Sequence, residues 1–143
     1  MPNNEKILNE NKLENSAKIA VESYFYNFDN YKLDLAANEV LNLAINTNLY
    51  LNDNQPWLLI KEKNNLTLVK QIIYNVLEST RIIGLLLLPL LPELSTKINE
   101  QLGFMYKEGI PWKKQLIWGL LVGNSSLPKP TPIINKLEYE QQL

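Results

Sequence analysis

The chain has 143 residues, 45% of them apolar and 20% charged, and a formal net charge of −1. That is the balance of one globular domain, long enough to bury roughly two-thirds of its unfolded surface without a metal or a cross-link. It contains neither cysteine nor histidine, which excludes disulfides, thiolate zinc sites and any catalytic pair built on an imidazole.

Residues 1–12, opening MPNNEKILNEN, lack the apolar core of a signal peptide. They read as a loose leader, and the cytoplasm is the default compartment. Apolar groups at Ala17, Ile19 or Ala20, Tyr24 and Phe28 then predict a helix over 13–28, capped by Asn15 or Ser16. After the polar turn FDNYK, the spacing of Leu33, Ala36, Val40, Leu43, Ala44 and Leu51 predicts a second helix over 32–51. Asn52, Asp53 and Asn54 are expected to end it. Pro56 suits a first helical position, where its missing N–H costs nothing, so a short helix opens at Pro56 or Trp57 and runs to Ile60.

A third long helix is expected over 66–88, apolar nearly all round after Ile82 and therefore deep in the bundle. Its end belongs to the run IIGLLLLPLLPEL, whose 13 residues fall short of the roughly 20 that cross a bilayer. Pro89 and Pro92 break it further. Pro92 opens another helix, with Leu94, Ile98 and Leu102 in register and Gly103 as its stop. A last short helix is expected over 112–121, followed by a proline-punctuated tail in which 132–137 alone alternates with period two. The sum is an all-α bundle of about five helices over 13–143 with an extended C-terminal arm.

Little in the chain suggests chemistry. No glycine-rich phosphate loop is present, and the acids Glu5, Glu10 and Glu14 have no partner that would make them a metal site. Neither a catalytic residue nor a metal ligand is expected. Charge is uneven, with four lysines against eight acids in residues 1–60 and ten basic groups against seven acids in 61–143. A nucleic acid would meet the later part through this modest positive bias. Within ESTRIIGLL, Glu78 and Arg81 are three apart on one helix face, an ion pair at the bundle edge; contact of Arg81 with RNA phosphate is the lesser reading.

Trp57 closes the stretch NLYLNDNQPW and admits two readings. The indole either packs on Leu51 or Ile60 as a staple at the helix entry, or stays exposed and stacks an unpaired base. Asn48, Asn52, Asn54 and Gln55 would supply amides for base edges in the second case. Spacing alone does not choose between them.

Two longer blocks do. NLYLNDNQPWLLIK, followed by YNVLESTRIIGLLLLPLLPELSTKINEQLG, resembles the anticodon-binding domain of bacterial methionyl-tRNA synthetases. The similarity rests on Asn48, Tyr50, Asp53, Pro56, Trp57 and Lys61, then on Glu78, Arg81, Pro89, Pro92, Ser95, Ile98, Gln101, Leu102 and Gly103. It continues through Trp112, Gly119 or Gly123 and the closing PIINKLE, so that it covers about residues 15–138. The first block is shared with isoleucyl, valyl and leucyl enzymes, whereas the second is more particular to the methionyl type.

The resemblance implies a non-catalytic domain that binds the CAU anticodon of methionine tRNA, with Trp57 on an anticodon base. Asn48, Asn52, Asn54 and Lys61 would be tRNA contacts, and Lys63 a further one. DNA and membrane are not implied as partners. No cofactor is expected on the chain itself; ATP and the catalytic domain would belong to a parent ligase of which this chain is a part. The family's upstream Asn-x-x-x-Arg element has no counterpart in residues 1–15, so loop binding is expected to be weak. The alternatives are an isoleucyl-, valyl- or leucyl-type anticodon domain, or a helical protein-interaction module.

Overall fold

The computed structural model describes the backbone of residues 4–122 and 128–133, with side chains from residue 12 onward. Helix α1 (Asn4–Asp29) turns through a left-handed Tyr31 (φ 60°) into α2 (Leu33–Asn54). A one-turn α3 (Pro56–Leu59) and a 3-10 turn (Lys63–Asn65) lead into α4 (Leu66–Leu86). Then follow α5 (Pro92–Leu102) and a one-turn α6 (Trp112–Gln115). No described helix is long and apolar enough to cross a membrane. Ile82 to Leu86, the last turn of α4, lie in the core, as the all-round apolar character there requires, whereas Leu91 farther along the run is exposed.

The short connection after α1 makes α1 and α2 antiparallel, and α4 packs along both. Two apolar clusters mark the two ends of the bundle. One gathers Leu13 of α1, Tyr50 of α2 and Ile72 of α4. The other gathers Tyr24, Val40, Leu43, Ile82, Ile83, Leu85 and Leu86. Tyr24 donates its hydroxyl to the Leu86 carbonyl at 2.9 Å, and Trp112 donates its indole N–H to the Leu85 carbonyl at 3.1 Å. The first satisfies a carbonyl that the end of α4 leaves without a helical partner, and the second joins the Leu88 N–H, at 3.2 Å, on the Leu85 carbonyl. Burial of the Tyr24 phenol pushes its pKa up to about 12.

Helix α5 comes close enough to α4 that a side chain at Gly84 would collide. A Cβ there would stand 2.9 Å from both Asn99 Oδ1 and Ile98 Cγ2. Ser95 uses the same approach to donate to the Gly84 carbonyl at 2.6 Å. Gly103, at φ 63°, ends α5 in the left-handed conformation expected of it.

Four expectations need correction. Positions 4–12, expected as leader, form the first turns of α1; they contain no glycine or proline, and Glu, Lys and Leu favour helix. Asn52, Asp53 and Asn54 belong to the last turn of α2 rather than ending it. The stop is Gln55, because a residue before proline is steered away from the right-handed helical region, and it takes φ 43°, ψ 59°.

The third correction concerns 112–121. Helix α6 stops at Gln115, and the backbone N–H groups of Gly119, Leu120 and Leu121 donate to the Glu78 carboxylate at 2.7, 3.0 and 3.0 Å instead of continuing a helical ladder. Arg81 completes the arrangement. It holds Glu78 through two hydrogen bonds (2.9 and 2.6 Å) and donates to the carbonyls of Gln115 and Ile117. Its guanidinium stacks over Phe104, 5.0 Å from the ring centroid. Both side chains are fully buried. The pair therefore lies inside the bundle and not at its edge, with no face of Arg81 open to RNA phosphate. It straps residues 115–121 along α4, and Tyr74 adds a hydrogen bond to the Leu121 carbonyl at 2.9 Å.

Residues 128–133 contain no strand, and Thr131 pairs with the Gln101 side chain through two hydrogen bonds. The rest of the alternating stretch 132–137, and most of the expected arm, lies outside the described residues.

Candidate nucleic-acid interface

Gln55 is at once the C-cap of α2 and the N-cap of α3. Its carbonyl accepts from the N–H groups of Leu58 and Leu59, so the chain makes a sharp corner there. A single turn can bury one side, and α3 buries Pro56 and turns Leu59 into the first apolar cluster. Trp57, Leu58 and Ile60 are left outside. Trp57 is 50% exposed. The proline thus takes the inward place that a stapling indole would have filled, and the indole keeps a face in solvent.

The other expected contacts fall in different places. Asn48 and Asn52, four apart on the outer side of α2, are exposed. Asn54 is half-buried, and its amide N–H donates to the Tyr50 carbonyl at 2.8 Å, which leaves its Oδ1 available. Lys61 and Lys63 are both exposed just beyond α3.

Beside this corner runs a groove of about 190 Å³ between α1 and α2. Lys12 and Ser16 line it from α1; Asn46, Tyr50, Asp53 and Asn54 line it from α2. Among the sequence-derived site residues it takes in Asn54 but neither Asn48 nor Asn52. Lys12, Ser16, Asn46 and Asp53 had not been anticipated. A signal existed, because 12 and 16 are four apart, and 46, 50 and 53 form one stripe of α2. What sequence lacked was the register that sets those two stripes against each other.

The floor of the groove is fixed from behind. Asn75 on α4 donates to the Tyr50 hydroxyl at 3.0 Å and is held by Gln71 at 3.0 Å. Farther along α2, Thr47 and Ser79 share a buried hydroxyl contact of 2.6 Å. These bonds lock α2 against α4, so the amides and the carboxylate on its other side stand in fixed positions. Such a surface offers an aromatic face, amide and carboxylate groups for base edges, and lysines for phosphates.

Comparison with known proteins agrees in kind. The family model described as the anticodon binding domain of methionyl tRNA ligase matches residues 1–142. A methionine–tRNA ligase of Synechocystis is 36% identical over 112 residues, covering 72% of this chain and 21% of that protein. One from Thermotoga maritima is 30% identical over 118 residues, covering 82% and 18%. The apo structure of Mycobacterium tuberculosis methionyl-tRNA synthetase superposes with a TM-score of 0.80 at 25% identity, covering 91% of this chain and 26% of that one. The chain thus spans about a fifth of the length of these curated relatives.

Proposed function

The chain belongs to the family of methionyl-tRNA ligase anticodon-binding domains, and from that premise we propose that it reads the CAU loop of methionine tRNA. Bases in such a loop can be unstacked and splayed, which is how RNA sequence is commonly read. Trp57 supplies the platform for one of them. Stacking tolerates any base, so selectivity comes from the groove: the Asn46 and Asn54 amides and the Asp53 carboxylate meet base edges, a carboxylate being suited to the exocyclic amine of cytosine. Lys12, Lys61 and Lys63 meet loop phosphates.

The observation that carries this reading is the division of labour at the corner, with Pro56 inside and half of the Trp57 surface outside. The chain itself would perform no chemistry. Aminoacylation with ATP would belong to the catalytic domain of a cytoplasmic ligase, and an anticodon held here would present the distant acceptor end to it.

Titration with stem-loops that differ in the three anticodon bases, at two salt concentrations, tests the assignment. The CAU loop should bind most tightly at both, since phosphate contacts weaken with salt for every loop alike. Equal affinity for CAU and scrambled loops would refute sequence reading, and tighter binding of an isoleucine, valine or leucine anticodon would reassign the amino acid.

A further inference from the structure

We propose that Lys107, Lys113 and Lys114 form a second contact for the same RNA, one that grips the phosphates of the paired stem rather than the loop. This rests on the anticodon reading above and concerns a different end of the molecule.

All three lysines are exposed. None has a carboxylate within 4.0 Å among the described residues, although Glu108 lies in the same loop. Lys113 sits over the Phe25 ring at 4.3 Å, and the flanking Trp112 packs edge-on against Tyr24 and Phe25. Their backbone is gathered by one buried amide. Gln115 accepts from the Lys107 N–H at 3.0 Å and donates to the carbonyls of Lys107 and Ile110 at 2.9 and 3.0 Å. The Gln115 carbonyl in turn is held by Arg81. The cations are displayed from a frame tied to the buried ion pair, so a polyanion that docks there orders little backbone.

Position identifies the partner. Trp112 bonds to Leu85 at the end of α4, whereas Leu59 of α3 packs on the same apolar cluster as Leu68 near the start of α4. At about 1.5 Å per residue the lysines and the Trp57 corner are separated by roughly 25 Å along the bundle. A duplex leading away from a loop held at the corner would carry on the order of fifteen phosphates over that length at about 1.7 Å per charge. Single-stranded loop RNA alone would not reach.

The test uses the full chain and two labelled RNAs, a CAU stem-loop and the loop heptamer without its stem, followed by fluorescence anisotropy over a salt series. The variant Lys107→Gln/Lys113→Gln/Lys114→Gln changes exposed positions, and unchanged helical circular dichroism confirms its fold. On the stem-loop it should lower the slope of log K against log salt by about 2–3, at about 0.9 per phosphate contact. On the heptamer it should change nothing. An unchanged stem-loop slope overturns the proposal and leaves an acidic protein surface as the partner of the lysines. Equal losses on both RNAs overturn it as well. The anticodon reading fails separately, when scrambled and CAU stem-loops bind alike while the slope still depends on the lysines.

Discussion

Glu78→Gln should destabilise the domain far more than its single-atom change suggests. In the parent, the fully buried Glu78 carboxylate meets one guanidinium and three backbone N–H groups. Removing its charge leaves Arg81 buried without a counter-charge, which costs about 3–5 kcal/mol in comparable pairs. Against a total stability of about 5–15 kcal/mol, that is a large share. With a urea m-value of about 2 kcal/mol per molar, the midpoint measured by circular dichroism should fall by roughly 2 M.

The double variant Glu78→Leu/Arg81→Leu sharpens the argument. Exchanging a buried pair for apolar groups is often neutral or stabilising. Here it also orphans three N–H groups and the Gln115 and Ile117 carbonyls, at about 1–3 kcal/mol for each that stays buried. The strap would instead leave α4 for water and forfeit the burial of Leu116 and Leu121. The double variant should therefore remain destabilised, with Trp118 fluorescence shifted at low urea. A midpoint for Glu78→Gln within about 0.25 M of the parent, or a double variant as stable as the parent, would refute the reasoning.

Gly84→Ala should cost about 1–3 kcal/mol in chemical denaturation, the range for overpacking a close contact, because Asn99 and Ile98 stand where its methyl group would go. Tyr24 should make stability fall at high pH. Its folded pKa of about 12 lies above the ordinary 10.0, so the unfolded chain gives up this proton first. The stabilisation is then complete below pH 10 and lost between about pH 10 and 12. Tyr24→Phe should flatten that part of the stability–pH curve while lowering stability at neutral pH.

Helices α2, α4 and α5 were legible because each carries a sustained apolar stripe and a proline or glycine at its boundary. Two of the corrections, at the strap and at Arg81, have one physical source, tertiary partners that replace local ones, whereas the start of α1 and the end of α2 follow local rules. The strap at 116–121 reads as helix because its apolar residues recur at helical spacing, yet Glu78 takes its N–H groups. Arg81 reads as a surface ion pair because spacing of three places it on the same face as Glu78, and nothing local reports that both are covered. At the site, the exposure of Trp57 follows from Pro56 occupying the inward side of a single turn, which sequence allowed but did not require. The groove was out of reach, since its two walls meet only through the packing of α1 on α2.

Affinity of Trp57→Ala for the CAU stem-loop, relative to the parent and with anisotropy of labelled RNA as the readout, bears most directly on the role of the free indole. A stacked base contributes about 1–3 kcal/mol, so binding should weaken roughly 5- to 150-fold with the melting curve intact, and Trp57→Phe should lose less. A folded Trp57→Ala variant that binds the loop within about twofold of the parent, less than a stacking contribution allows, would contradict the account.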